Sequence, residues 1–214
     1  MTRVKTCGIA TLDDARRCAA LGAWALGLVF WPESPRAVSL ETAEEIGAEL
    51  RRRTEVVGVF VNASLDQLAT VADRVGLTML QLHGEEGPAY CAEVGRRTGC
   101  RVMKAVRVKG AAQVRGLRAY RTDFHMLDAF VPGSPGGTGQ SFNWELARLH
   151  EDPSRVVLSG GLTPDNVAQA IAAARPFAVD TASGTEAAPG RKDPAKLEAF
   201  FRAVEAADLA SAPA

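Results

Sequence analysis

Eight short apolar or β-branched runs recur along the chain, each followed by a Gly- or Pro-containing loop and then by an amphipathic stretch rich in Ala, Leu, Glu and Arg. The runs are residues 4–7, 24–30, 55–61, 77–83, 101–108, 124–130, 155–160 and 177–183. Each has the length of a strand buried on both faces of a parallel sheet. The intervening stretches predict helices over 11–22, 41–53, 64–75, 86–98, 111–120, 143–149, 164–174 and 193–207. Thr11 and Ser64 read as N-caps, while Thr163-Pro164 and Asp193-Pro194 each read as a cap followed by proline in the first turn. Alternation of this kind requires right-handed parallel crossovers, and eight such units close into an α/β single-domain (β/α)8 TIM barrel. An open doubly wound sheet is the alternative that the pattern leaves.

The size suits one barrel. The chain has 214 residues, 47% of them hydrophobic, and no Pro- or Ser-rich linker. Residues 1–207 are assigned to the barrel, and 208–214 to a short Ala-rich tail expected to fray. Lys and Arg number 25 and Asp and Glu number 25, so charge gives no reason to expect nucleic acid or a membrane as partner. No apolar run approaches the roughly 20 residues that span a bilayer, and the opening residues lack the apolar stretch of a secretory signal. Cysteines 7, 18, 91 and 100 have no C-x-x-C spacing, and the histidines complete no zinc pattern. The expectation is a cytoplasmic protein with free thiols and no metal.

In a barrel of this type the chemistry lies at the C-terminal ends of the strands. The first run delivers Cys7-Gly8 there, and the second leads into Trp31-Pro32-Glu33-Ser34-Pro35-Arg36. The fourth delivers Gln81-Leu82-His83-Gly84, and the sixth Asp128 with a long glycine-rich loop over 133–139. The last two deliver Ser159-Gly160-Gly161 and Asp180-Thr181-Ala182-Ser183-Gly184. Glycines on those two adjacent loops let backbone N–H groups approach an anion, a recurrent phosphate site in eight-fold barrels. Lys5 lies two residues before Cys7 and so shares its inward face, one layer deeper. A lone ammonium there is strongly disfavoured, and Asp180 is the nearest candidate partner, with Asp128 second. Either pKa tuning of Cys7 or a purely structural pair is consistent with that arrangement. His125, three residues before Asp128, has the opposite parity and is expected among the outer helices.

These segments resemble the phosphoribosylanthranilate isomerases of tryptophan biosynthesis. The motifs are VKTCG at 4–8, LGLVFWPESPR at 26–36, QLHG at 81–84, and LDA at 127–129 with GGTG at 136–139. LSGGLTPDNV at 158–167 and VDTASGTE at 179–186 follow, with Pro189-Gly190 and Lys192-Asp193 after them. The likeness runs in order from residue 4 to about residue 200. Its departures are Thr6 in place of an aliphatic residue, Ser159 in place of Ala, and Thr181-Ala182 in place of Val-Ser. None removes a group assigned to chemistry.

The resemblance implies an Amadori rearrangement of a phosphorylated small molecule without cofactor. A general acid opens the sugar ring to a Schiff base, and a general base removes the C2′ proton. It implies Cys7 as base and Asp128 as acid, with Arg36 on the anthranilate carboxylate. The thiolate needs a lowered pKa from a positive site, and the acid must be held protonated. His83 is placed to contact substrate or to order Cys7. Gly160, Gly161, Ser183 and Gly184 are assigned to the phosphate, and Asp180 to the substrate-facing set. Phe30 and Trp31 are candidates to wall the aromatic part of the site. The sequence leaves the oligomeric state open, and a homodimer is compatible with it.

Three other readings stand beside this one. A related isomerase of histidine biosynthesis would carry Asp at the Cys7 position and a second Gly-Gly loop, where this chain has VNAS at 61–64. Indole-glycerol-phosphate synthase would need a catalytic lysine set and an N-terminal extension. A non-catalytic phosphate-binding barrel would keep the glycine loops and lose the acid or the base.

Overall fold

The structure, a computed structural model, describes residues 1–129 and 143–211. Eight parallel strands form a closed barrel in sequential order. They are β1 (Arg3–Cys7), β2 (Ala25–Val29), β3 (Glu55–Phe60), β4 (Met79–Leu82), β5 (Arg101–Val108), β6 (Phe124–Ala129), β7 (Val156–Leu158) and β8 (Ala178–Thr181). Pairing of β8 with β1, in which Lys5 lies opposite Asp180, closes the ring. Around it lie α1 (Leu12–Ala20), α2 (Leu40–Leu50), α3 (Leu65–Val75), α4 (Pro88–Thr98), α5 (Ala111–Gly116), α6 (Val167–Ala174) and α7 (Pro194–Ser211). Two short antiparallel strands, β9 (Glu186–Ala188) and β10 (Arg191–Lys192), sit between β8 and α7. The alternation of the sequence is therefore the alternation of a (β/α)8 barrel.

Local signals explain most helix starts. Thr11 accepts from the Asp14 N–H, Ser39 from Thr42, and Ser64 forms a reciprocal capping box with Gln67. Four segments differ from expectation. The 143–149 stretch is a 3-10 helix over Trp144–Leu149, a short element closely followed by another 3-10 turn that begins at Pro153. The 111–120 stretch tightens from α into 3-10 at Leu117–Ala119. Helix α6 begins at Val167 rather than at Pro164. Asn166 takes over there, accepting from the Thr163 N–H at 2.8 Å and donating to the Gly161 carbonyl at 2.9 Å. Finally, α7 continues through Asp208 to Ser211, past the start of the expected tail. Asp208 accepts from the Thr2 N–H at 2.5 Å and from Thr2 Oγ1 at 2.7 Å, tying the helix end to the first strand. The glycine-rich loop over 133–139 lies outside the described residues.

Apolar residues fill two spaces. Between strands and helices, Leu26, Leu28, Ile46, Leu68, Leu80, Leu82 and Leu197 pack one side, and Leu127, Leu158, Val167, Val179 and Phe200 the other. Inside the barrel, Ala25, Val57, Met79, Met103, Met126, Val157 and Ala178 fill the lower layers. Trp24 closes the bottom edge-on against Phe124 and Phe177, each ring pair 5.1 Å apart. Two residues further along several of these strands the inward position turns polar: Gln81 follows Met79, Asp128 follows Met126, Ser159 follows Val157 and Asp180 follows Ala178. The period-two geometry of a strand thus carries an apolar floor into a polar mouth.

Candidate active site

A cavity opens at the polar end and is lined by Cys7, Arg36, Gln81, His83, Asp128, Ser159, Gly160, Gly161, Asp180 and Ser183, with Trp31, Glu33 and Ser34 on one rim. Of the residues assigned to catalysis or substrate binding from the sequence, Cys7, Arg36, His83, Asp128, Gly160, Gly161, Asp180 and Ser183 line this space, and Gly184 does not. A side chain at Gly184 would collide with the Leu162 carbonyl oxygen, so this glycine lets the loops after β7 and β8 close on each other. Trp31 faces the cavity, whereas Phe30 stacks on Phe60 with centroids 5.2 Å apart and belongs to the packing behind it.

Cys7 ends β1. Its register partner is Gly27, where a Cβ would stand 2.7 Å from Cys7 Sγ and 3.0 Å from Lys5 Nζ. The thiol and the ammonium therefore occupy the space that Gly27 leaves. Burial pushes the Cys7 thiol above its ordinary value, and Asp180 adds to that. Lys5 and Lys192 pull it back without overcoming burial. The lowered thiol pKa expected from the sequence is thus not a property of this pocket by itself: desolvation of a thiolate outweighs two nearby ammonium groups.

Lys5 is fully buried, and its Nζ lies 2.7 Å from Asp180 Oδ1. Burial alone would lower its pKa, but Asp180 and Cys7 together raise it, which keeps the ammonium charged. The other Asp180 oxygen accepts from Ser159 Oγ at 3.0 Å. Ser159, a departure from the family motif, thus completes the carboxylate's partners, and both Asp180 oxygens are engaged by the protein.

Asp128 is the penultimate residue of β6, where its Oδ1 accepts from the Ala129 N–H at 2.9 Å. His83 Nε2 lies 3.2 Å from Asp128 Oδ2. Gln81 Nε2 lies 3.2 Å from His83 Nδ1, so with Gln81 donating there the ring hydrogen sits on Nε2, toward Asp128. In this geometry His83 orders Asp128 rather than Cys7. Gln81, which the sequence places at the end of the fourth run without a role, lies two residues after buried Met79 on the inward face.

After β7, Gly160 and Gly161 adopt φ of +91° and +68°. At Gly160 a Cβ would stand 2.5 Å from Ala129, so the loop needs glycine both for backbone conformation and for space. Arg36, from the loop after β2, is paired with Glu186, its Nε 2.9 Å from Oε1 and its Nη2 2.7 Å from Oε2. Burial alone would raise the Glu186 carboxyl, but Arg36 and Lys192 hold it below the usual range. Glu186 and Lys192 were quoted in a motif but given no role. Among the described residues no group of three or more His, Cys, Asp or Glu could hold a metal, and no helix is long and apolar enough to cross a membrane.

The fold and this mouth define an enzyme-type (β/α)8 barrel whose titratable groups and glycine loops gather at the strand C-termini. Residues 4–203 match the family model of N-(5′-phosphoribosyl)anthranilate (PRA) isomerase, and the chain belongs to that family. It is an isomerase of tryptophan biosynthesis. It is 52% identical, over 92% of its length and 94% of the relative's, to the N-(5′-phosphoribosyl)anthranilate isomerase of Citrifermentans bemidjiense. It resembles the crystal structure of phosphoribosyl anthranilate isomerase from Thermotoga maritima with a TM-score of 0.87 and 40% identity, covering 96% of this chain and all (100%) of that one. A further similar structure is a phosphoribosyl anthranilate isomerase in complex with reduced 1-(o-carboxyphenylamino)-1-deoxyribulose 5-phosphate. Its TM-score is 0.83 and its identity 38%, covering 96% of this chain and 100% of that one.

Proposed function

We propose that this protein converts N-(5′-phosphoribosyl)anthranilate into 1-(2-carboxyphenylamino)-1-deoxyribulose 5-phosphate, with Asp128 as general acid and Cys7 as general base. The observation that carries the reading is that Cys7 on β1 and Asp128 on β6 line one cavity together with Arg36 and the Gly160-Gly161 loop. Asp128 gives a proton to the furanose ring oxygen, the bond from C1′ to that oxygen breaks, and C1′ becomes the carbon of an iminium. Cys7 then takes the proton from C2′, and the electron pair moves toward the iminium nitrogen to give an enolamine. Protonation at C1′ and loss of the hydroxyl proton at C2′ yield the ketone. The oxidation at C2′ is balanced by the reduction at C1′, so no outside redox partner enters.

The elevated thiol pKa works against a thiolate, so the base role requires positive charge that the substrate itself brings. A cationic iminium beside Cys7 supplies the positive charge that Lys5 and Lys192 supply only in part. The substrate phosphate is assigned to the N–H groups of Gly160, Gly161, Ser183 and Gly184, and the anthranilate carboxylate to Arg36.

The test is turnover of freshly generated substrate, followed as loss of anthranilate fluorescence, together with growth of a tryptophan auxotroph lacking this isomerase. The wild-type chain restores growth, and Cys7→Ala and Asp128→Ala do not. Failure of the wild type, or full rescue by either variant, sinks the reading.

A further inference from the structure

The segment between β8 and α7 carries chemistry that the proposed reaction does not use. Glu186 opens β9 and Lys192 ends β10, and both are buried. A small surface hairpin that encloses two charges bears a desolvation cost, which only well-placed partners offset. The partners are specific. Glu186 takes the Nε and Nη2 edge of Arg36, with the bonds at 2.7–3.1 Å described by the two carboxylate oxygens. The Gly190 N–H donates to Glu186 Oε1 at 3.4 Å. Lys192 Nζ donates to the Cys7 carbonyl at 2.7 Å, to the Ala182 carbonyl at 3.0 Å and to Glu186 Oε1 at 3.3 Å. Gly8, with φ of +76°, makes the space: a Cβ there would stand 2.7 Å from Arg36 Cδ and 3.3 Å from Glu186 Oε1.

A guanidinium is planar, and holding one edge fixes the direction of the other. Arg36 lines the cavity while its Nε side is occupied by Glu186. The pair alone would be neutral. With Lys192 the trio carries one net positive charge. Through its carbonyl partners, Lys192 also ties the clamp to the backbone of Cys7 and of the residue before Ser183.

We infer that Glu186, braced by Lys192 and Gly8, is a positioning residue that aims Arg36 into the cavity and thereby sets a preference for an aromatic amine bearing a carboxylate. The inference rests on the proposed contact between Arg36 and the substrate carboxylate. It explains why the hairpin lies between the last barrel strand and the last helix: it brings a carboxylate to the far side of a loop 150 residues earlier.

The experiment compares two probes, the reduced product analogue with its o-carboxyl group and the same compound with an unsubstituted phenyl ring. Dissociation constants are measured by calorimetry for wild type, Arg36→Ala, Glu186→Gln and the double variant, with kcat and KM for each. Glu186→Gln is expected to weaken the carboxylate probe about tenfold, on the order of 1.4 kcal/mol, and to leave the phenyl probe within about twofold, roughly 0.4 kcal/mol. KM should rise by more than kcat falls. The double variant should bind no worse than Arg36→Ala. If Glu186→Gln does not fold, Glu186→Asp carries the test, since it keeps the charge and withdraws it by one methylene; a selective loss for the carboxylate probe is again required. Equal weakening of both probes, or additive losses in the double variant, overturns the positioning role while Arg36→Ala still discriminates between the probes. If Arg36→Ala itself fails to discriminate, the carboxylate assignment falls and the positioning role falls with it.

Discussion

Lys5 Nζ lies 2.7 Å from Asp180 Oδ1 inside the barrel, two residues along β1 from Cys7. Both partners are buried. The pair leaves the ammonium charged, and of the groups acting on Cys7 the Lys5 charge is the strongest that opposes burial. Lys5→Met keeps the length of the side chain and removes that charge, while Asp180 remains. The Cys7 thiol then moves further up. The expected outcome is an acid limb of the kcat/KM profile displaced to higher pH, accompanied by a loss of stability of about 3–5 kcal/mol from the stranded carboxylate. An unmoved limb in a folded variant would show that the pair is structural only.

Replacing either proton-handling group should be severe. Cys7→Ala and Asp128→Asn are each expected to lower kcat by at least about 10²-fold, the contribution of a positioned acid or base. Binding of the reduced product analogue should change little, because neither side chain is assigned to the phosphate or the carboxylate. Single-turnover measurements separate the two effects. A variant that keeps most of its kcat removes that residue from the mechanism.

Gly27→Ala probes the space beside the base. The added methyl would stand 2.7 Å from Cys7 Sγ and 3.0 Å from Lys5 Nζ, and the Cys7 backbone is also close at 3.1 Å. Overpacking of this kind costs about 1–3 kcal/mol. The expected result is a lowered Tm and a kcat reduced beyond what the stability loss accounts for at the assay temperature. Wild-type kcat in this variant would mean that the precise seat of Cys7 does not matter.

The parts of this site readable from sequence are those that follow from strand parity. Cys7 and Lys5, Asp128 and His125, and Asp180 could each be placed inward or outward by counting residues along short strands. Long-range pairing was not readable. Arg36 and Glu186 are 150 residues apart. No periodicity announces a two-residue strand such as β10, so the Glu186 and Lys192 roles emerged only from the packed hairpin. The later start of α6 goes with a local feature that spacing does not reveal: the Asn166 side chain does not cap the helix but binds back into the preceding loop, accepting from the Thr163 N–H and donating to the Gly161 carbonyl. His83 was placed at the mouth correctly, but which of the two proton-handling groups it serves depends on barrel geometry, not on spacing.

His125 is buried behind β6, where its Nδ1 lies 2.7 Å from His150 Nε2 and its Nε2 lies 3.2 Å from the Tyr120 carbonyl oxygen. His150 Nδ1 accepts from the Asp152 N–H at 3.0 Å. The chain closes with both rings neutral: His150 Nε2–H donates to His125 Nδ1, and His125 Nε2–H donates to Tyr120. A proton added to His125 Nδ1 would face the His150 hydrogen. Burial, then His150 and Arg155, depress His125 from 6.5 to about 4. Below pH 6.5 the unfolded chain takes up a proton that the folded chain refuses. This stabilising contribution is therefore complete above pH 6.5 and is lost as the pH falls toward about 4. At about 1.4 kcal/mol for each pH unit, the loss is about 3 kcal/mol. His125→Gln can donate to Tyr120 and does not titrate. Urea unfolding at a series of pH values from neutral to acid should show a shallower decline for His125→Gln than for wild type, and parallel curves would rule out the histidine pair as the acid-sensitive element.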